Sequence, residues 1–132
     1  DQFREMDFGA FEGHNCEELK ADVRYQAWID SNGTLPFPQG ESREQFQRRC
    51  VEGFCKLLKE VWTRERSLSS FALVVHGGTI MALLEAFAEG SYYDYQCANA
   101  KGYKGRLSVE FDVAGNVLRD TIKIADVRKL EE

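Results

Sequence analysis

The sequence is short of the residues that build metal sites, disulfide frameworks and membrane spans. Its 132 residues include only two histidines, His14 and His76, and four cysteines. The cysteines show no C-x-x-C spacing, so a zinc site is not expected, and we expect neither a metal nor another cofactor. No apolar run approaches the roughly 20 residues that a membrane-spanning helix needs, and no segment resembles a signal peptide.

Positive charge is also in short supply. The chain has 17 lysines and arginines against 22 aspartates and glutamates, a net charge of −5. This charge offers no overall attraction for nucleic acid or for an acidic membrane, so local groups must hold any anionic substrate. Residues 1–132 are long enough for one domain or part of one. Cys50 and Cys55 fall in helical patterns as small buried hydrophobes, which favours a reducing, cytoplasmic compartment.

What the sequence does have is a strand-like run that ends at a histidine. Residues 71–75 (FALVV) are apolar and rich in β-branched types, which predicts a strand buried on both faces. His76 follows, and Gly77 and Gly78 then open a helical pattern with apolar residues at 80, 83, 84 and 87. Ligands of α/β proteins usually bind where a strand ends and a helix begins.

The start of that helix suits an anion. Its unpaired N–H groups and its dipole favour negative charge, and the two glycines let the backbone approach a ligand closely. We therefore interpret the junction as a phosphate site. The alternative is a histidine that only ends a strand and bonds a nearby carbonyl group.

The remaining elements are predicted from periodicity and turn residues. We expect a short strand over residues 3–8, a helix over Val23 to Ile29 and a turn at Asn32-Gly33. The longest helix should run from Ser42 to Arg66, opened by a capping box of Ser42 and Gln45. Its buried stripe is predicted to comprise Phe46, Cys50, Phe54, Leu57, Leu58, Val61 and Trp62, whereas its basic residues, Arg43 among them, are assigned to a solvated face. Alternation over 104–111 and 117–125 around Gly115-Asn116 predicts a hairpin.

Three of these stretches, in this order, resemble motifs of the histidine phosphatase superfamily, also called the phosphoglycerate mutase-like family. Residues 3–13 (FREMDFGAFEG) resemble its acidic-loop motif. G-E-S at 40–42 followed by Arg49 resembles the start of its helix, and V-V-H-G-G at 74–78 resembles its second histidine motif. Cys97-Ala98-Asn99 and the hairpin resemble its C-terminal end. The resemblance spans nearly the whole chain.

The resemblance implies roles for individual residues. In that family one histidine attacks the phosphoryl group, a carboxylic acid protonates the leaving oxygen, and a second histidine clamps the phosphate. By position, Glu5 would be the acid, His76 the clamping histidine and Gly77 an N–H donor. Phosphoryl transfer does require donors around the phosphate oxygens and a proton for the departing alkoxide. Without the motif, Glu5 would be interpreted as a solvated carboxylate.

Four further residues are candidates for the pocket wall. Glu41 and Arg49 would hold it together through an ion pair; the alternative places Glu41 at the helix start and Arg49 in solvent. Tyr92 and Tyr93 would line the mouth of the pocket, although loop aromatics as often cover the edge of a core.

One departure from the family is severe, because the chain has no R-H-G motif to supply the nucleophile. We therefore expect a partial domain: a three-layer α/β/α sheet, mostly parallel with a C-terminal antiparallel hairpin, that lacks its N-terminal strand and helix. The nucleophile would come from an N-terminal segment of the same protein or of a second copy. The chain alone is expected to be inactive, because without that histidine nothing accepts the phosphoryl group.

The short segment between Gly13 and Gly40 favours a hydrolase of small phosphorylated metabolites over a mutase, since mutases of this family carry a longer insertion there. The motif spelling most resembles the α-ribazole phosphatase-like branch. Three alternatives remain: a non-catalytic anion-binding or scaffolding remnant of the same fold, a phosphoglycerate mutase-type phosphotransferase, and an unrelated α/β fold in which the histidine occurs by chance.

Overall fold

Helices and one hairpin make up the folded part of the chain. The computed structural model describes residues 2–31, 35–98 and 100–130. The helices are α1 (Cys16–Leu19), α2 (Val23–Asp30), α3 (Arg43–Arg64) and α4 (Gly77–Phe87), with 3-10 turns at Gly9–Phe11 and Tyr92–Tyr95. The strands are β1 (Tyr103–Phe111) and β2 (Val117–Lys129). Mixed helix and strand content fits the predicted α/β class.

Helix α3 begins where the capping box predicts. The Gln45 N–H donates to Ser42 Oγ at 3.0 Å, and the Ser42 N–H donates to Gln45 Oε1 at 3.0 Å. These bonds satisfy two N–H groups that a helix start leaves without partners. Because α3 ends at Arg64, it is slightly shorter than predicted. Its predicted stripe faces the core and is buried at Phe46, Cys50, Phe54 and Leu58 and half-buried at Leu57, Val61 and Trp62.

The core lies between α3, α4 and the hairpin. Phe46 and Cys50 of α3 are fully buried, and Ala82 and Leu83 of α4 pack against the same cluster. From the hairpin, Ile122 joins this cluster. The core therefore fixes the start of α4 relative to the start of α3, which brings two of the motif regions together.

The predicted hairpin is confirmed. β1 and β2 pair antiparallel, with Leu107 opposite Ile124 and Phe111 opposite Val117. At the turn, Asp112 Oδ1 accepts from the N–H groups of Ala114 and Asn116 at 3.0 and 2.9 Å. The hairpin is longer than predicted because its outer residues continue the ladder to Lys129.

The predicted central strand is wrong. Residues 71–76 are not a strand, and Val74 is 95% exposed while Phe71 is also exposed. A β-branched run becomes a strand only when a neighbour pairs with its backbone, and the described residues contain just one sheet, the hairpin. They therefore form no parallel sheet. Leu73 still packs on the core, so one side of the segment is anchored.

Other expectations fail locally. Residues 3–8 form turns and irregular backbone instead of a strand, because their carbonyl groups bond to side chains of α3 and α4 rather than to a neighbouring strand. Helix α2 is present as predicted, but it has no buried residue and Ile29 is exposed. The predicted turn at Asn32-Gly33, and Asn99 of the 97–99 motif, lie outside the described residues.

Candidate active site

The candidate site is built on the first turn of α4. His76 is its N-cap residue, with extended backbone angles (φ −68°, ψ 154°) and no side-chain capping bond. Its carbonyl group accepts from the Ile80 N–H at 3.1 Å, so the helix begins directly after it. The exposed His76 thus stands at a helix start that favours an anion, as the glycine-rich junction predicts.

Glu5 lies against that same turn. Its Oε1 accepts from the Met6 N–H at 2.9 Å. A Cβ atom at Gly78 would stand only 2.6 Å from that oxygen. Only a glycine at position 78 therefore leaves room for the carboxylate. Residues 5 and 76 are far apart in sequence, yet both lie at the N-terminal turn of α4.

Arg49 fixes the backbone that carries Glu5. Its Nη1 donates to the carbonyl oxygens of Gln2 and Arg4 at 2.8 and 2.9 Å, and its Nη2 donates to that of Glu5 at 3.3 Å. Arg49 also forms a bidentate ion pair with Glu41, at 3.0 Å (Nε to Oε2) and 2.7 Å (Nη2 to Oε1). The predicted pair is therefore present.

This pair is largely buried, with 13% of the Arg49 side chain and 16% of the Glu41 side chain exposed. The hydrogen bond from Arg49 holds the pKa of Glu41 below its ordinary value of 4.5. Glu41 Oε1 also accepts from the Asp7 N–H at 2.9 Å, so the pair ties the acidic loop to α3. Both residues therefore support the site by holding the segment that carries Glu5.

Two glycines let the acidic loop lie close to the G-E-S turn. A Cβ at Gly9, whose φ is +53°, would stand 2.1 Å from the Pro38 carbonyl oxygen, so no other residue fits there. Two backbone bonds join the segments, from the Ala10 N–H to the Pro38 oxygen at 2.7 Å and from the Glu41 N–H to the Asp7 oxygen at 2.9 Å. The first two family-like motifs are thus one packed unit.

A buried threonine attaches this unit to α4. Thr79 is fully buried, and its Oγ1 donates to the Phe3 carbonyl oxygen at 3.1 Å. The sequence pattern does not select Thr79. The available signal was a polar residue in the apolar stretch after Gly78, since a buried hydroxyl group requires a hydrogen-bond partner. Beside it, burial raises the pKa of the Cys50 thiol to about 11, which keeps the thiol protonated and unreactive.

The loop after α4 covers the other side of the helix start. A Cβ at Gly77 would lie 3.0 Å from the Cys97 carbonyl oxygen. Tyr92 is buried in the core, and burial raises its pKa to about 12, with the nearby Glu5 carboxylate adding to the rise. Tyr93 is half exposed beside it, and the two rings meet edge to face at 5.2 Å. Tyr92 therefore covers the core, and Tyr93 faces solvent.

The structure brings Glu5, Gly77 and His76 to one helix end, with Glu41 and Arg49 supporting Glu5. His14 is elsewhere: its Nδ1 pairs with Glu18 Oε2 at 2.8 Å on the surface. Arg43, assigned to a solvated face from the sequence, instead lies over the rings of Tyr92 and Tyr93. Its position in the first turn of α3, where a cation opposes the helix dipole, was the available signal.

Among the residues that the structure describes, no helix is long and apolar enough to cross a membrane. No group of three or more histidine, cysteine, aspartate or glutamate side chains in that part of the chain is placed to hold a metal ion.

An acid and a histidine at a glycine-rich helix start are typical of proteins that bind and transfer oxyanionic groups. The chain belongs to the histidine phosphatase superfamily, whose branch 1 family model matches residues 1–119. The predicted membership is confirmed, and it indicates phosphatase or phosphotransferase chemistry. No curated protein and no solved structure matches the chain significantly.

Proposed function

We propose that the protein is a phosphomonoester hydrolase that works through a phosphohistidine intermediate and belongs to the α-ribazole phosphatase-like branch. The observation that carries the proposal is the contact of the Glu5 carboxylate with Gly78, two residues after the N-cap histidine of α4. Its substrates are small phosphorylated metabolites, and the reduced Cys50 and Cys55 thiols support a cytoplasmic location.

The proposed reaction has two halves. A nucleophilic histidine attacks phosphorus and the ester P–O bond breaks, while Glu5 gives its proton to the departing alkoxide. His76 and the Gly77 N–H hold the non-bridging oxygens. The Glu5 carboxylate then takes a proton from water, whose oxygen attacks phosphorus, and the P–N bond breaks. Histidine is regenerated and inorganic phosphate leaves.

The nucleophile is assigned to a segment N-terminal to residue 1 of the same protein. Support comes from residues 71–75, which pair with no strand among the described residues and carry exposed apolar side chains at Phe71 and Val74. A strand added along this backbone would pair its N–H and C=O groups. It would end beside His76 and start the mostly parallel, three-layer sheet of the expected fold.

Hydrolysis is favoured over mutase chemistry by the short path between the acidic loop and the G-E-S turn. The Ala10 N–H donates to the Pro38 carbonyl oxygen at 2.7 Å, so the two ends of the segment between these residues lie side by side. Only a long insertion there would shield a phosphoenzyme from water. Water therefore reaches the intermediate.

Assay of the complete gene product with p-nitrophenyl phosphate tests the proposal. Glu5→Gln and His76→Ala should each lower kcat/KM by about 100-fold or more, since one removes the proton donor and the other a phosphate ligand. Quenching at steady state with alkaline detergent should trap phosphohistidine, whose P–N bond is stable in base and labile in acid. His14→Ala is the matched control and should retain activity.

Equal activity in the wild type and both variants would contradict the site assignment. A folded, inactive gene product that still binds inorganic phosphate at His76 would instead favour the non-catalytic remnant. Transfer of the phosphoryl group to an added acceptor in place of water would favour the phosphotransferase.

A further inference from the structure

Arg43, in the first turn of α3, forms a cationic shelf with Tyr92 and Tyr93, which lie in the loop after α4. The guanidinium carbon of Arg43 lies 5.4 Å from the centroid of the Tyr92 ring and 5.6 Å from that of Tyr93. Both distances fall in the range of cation–π attraction. Arg43 is half-buried, and Tyr93 is 51% exposed. The shelf is therefore held in place on one side and open to solvent on the other.

Among the described residues, no acid neutralises this shelf. In the part of the chain that the structure describes, no carboxylate lies within ion-pair distance of Arg43. The two carboxylates that flank the tyrosines bond to uncharged donors. Glu85 accepts from Gln47 Nε2 at 3.0 Å and from the Tyr92 N–H at 2.7 Å, and Asp94 accepts from the Ser91 N–H at 2.8 Å.

The location of Arg43 is unfavourable for the stability of α3. It is the first residue of α3, where the helix dipole disfavours a cation. The Arg43 guanidinium makes no hydrogen bond among the described residues, and such a planar fork suits a carboxylate or a phosphate. Within the described ranges this half-buried arginine has ring contacts but no acid partner, and an anion that arrives with a ligand would supply one.

The shelf adjoins the candidate acid. Tyr92 lies close enough to Glu5 for that carboxylate to raise the phenol's pKa, while Arg43 acts in the opposite direction. Glu5 and Arg43 therefore both lie near the Tyr92 ring. A ligand whose phosphoryl group rests at His76 and Glu5 would extend its other end toward the shelf.

We infer that Arg43 and Tyr93 form a second anion subsite, which binds an acidic group on the non-phosphate part of the substrate. This inference rests on the proposed phosphomonoesterase function and narrows its substrate class to phosphomonoesters that carry a second carboxylate or phosphate. Arg43 supplies the charge, and the exposed Tyr93 ring supports the carbon skeleton.

The test measures calorimetric binding of three non-hydrolysable phosphonates to the complete gene product, so that it does not depend on turnover. They are phenylphosphonate, 4-carboxyphenylphosphonate and 1,4-phenylenediphosphonate. The wild type should bind at least one of the two diacids about tenfold or more tightly than phenylphosphonate, the gain expected for a charge-assisted hydrogen bond. Whichever diacid is preferred identifies the second group as carboxylate or phosphate.

Variants assign this preference to the shelf. Arg43→Gln should bring the affinity ratio close to one and leave the affinity for phenylphosphonate unchanged, and Arg43→Lys should keep part of the preference. Arg48→Gln is the matched control, because Arg48 lies on the same helix, is exposed and pairs with Glu44 at 3.2 Å. That variant should retain the full ratio.

The outcomes are distinguishable. A ratio near one in the wild type, or a preference that survives Arg43→Gln, overturns the subsite. If none of the three phosphonates binds, the subsite is overturned as well. His76→Ala tests the phosphate site separately: if this variant binds phenylphosphonate as the wild type does, the proposed phosphate site fails, whereas the Arg43-dependent ratio still decides the subsite.

Discussion

At position 49 one guanidinium contacts two parts of the chain that lie far apart in sequence. It pairs with Glu41 at 2.7 Å and bonds three carbonyl oxygens of residues 2–5. We expect Arg49→Met to lower the free energy of unfolding by about 3 kcal/mol, because it leaves a largely buried carboxylate and three carbonyl groups without their donor. Urea unfolding monitored by circular dichroism measures this loss.

Arg48→Met is the control for that experiment. Arg48 is the next residue along α3, but its pair with Glu44 is exposed, with relative side-chain exposures of 65% and 81%. Exposed pairs of this kind contribute roughly 0.5 kcal/mol or less. If the two variants lost similar stability, Arg49 would not be the anchor described above.

Gly78 is the second residue at which a single atom matters. A Cβ there would lie 2.6 Å from Glu5 Oε1, so Gly78→Ala must displace the carboxylate. Alanine also favours the helix by about 1 kcal/mol. We therefore expect unchanged or slightly higher stability together with a fall of about tenfold or more in kcat/KM, measured by thermal denaturation and phosphatase assay of the complete gene product.

The control is the same substitution in the Glu5→Gln background. If Gly78→Ala acts by moving the acid, it should cause little further loss of activity once the acid is gone. A full additional loss would mean that position 78 affects the site by another route.

Among the elements, residues 71–75 lack the strand pairing that their sequence pattern predicts, at least within the described residues. The proposal that a strand of the N-terminal segment pairs here predicts a difference in amide hydrogen exchange. Amides of residues 72–75 should exchange quickly in the 132-residue chain and at least tenfold more slowly in the complete gene product, because pairing protects them. The β1–β2 ladder serves as the internal reference and should be protected in both.

Equal exchange at 72–75 in both proteins would contradict the proposed strand pairing. Protection that appears only as protein concentration rises would assign the partner strand to a second copy of the chain.

The elements also show what the sequence can and cannot predict. Helix α3, its Ser42–Gln45 box and the hairpin follow from signals a few residues apart, so they are predicted well. The 71–75 run has a strong strand pattern, but a strand depends on a partner that no local pattern supplies. The contacts of Arg49 and Arg43 depend likewise on which segments meet in three dimensions. Family-like motifs indicated the contacts of Arg49, whereas the local signal for Arg43 was its unfavourable position in the first turn of α3.

For the whole molecule, the buried ion pair predicts sensitivity to acid. The pKa of Glu41 in the folded chain is lowered from 4.5 by its bond to Arg49. A depressed folded-state pKa stabilises the protein above the unfolded value, and this contribution is lost as pH falls through the folded one. The stability difference between the wild type and Glu41→Gln should therefore be constant from pH 7 to about 5 and shrink below pH 4.5.

Urea unfolding at a series of pH values from 7 to 3 measures this difference. Exposed groups with lowered pKa values, such as Asp112, remain in both proteins and cancel in the comparison. A difference that stayed constant down to pH 3 would show that Glu41 and Arg49 contribute nothing through their charges.

Arg49 bonds the backbone of the loop and not its side chains, and this affects how such a site can diversify in evolution. It bonds carbonyl oxygens of Gln2, Arg4 and Glu5, and every amino acid has a carbonyl group. Descendants of this gene can therefore exchange the side chains at positions 2 and 4 without displacing Glu5, the proposed proton donor. Selection for new substrates can therefore change the residues around the site while Glu5 keeps its position.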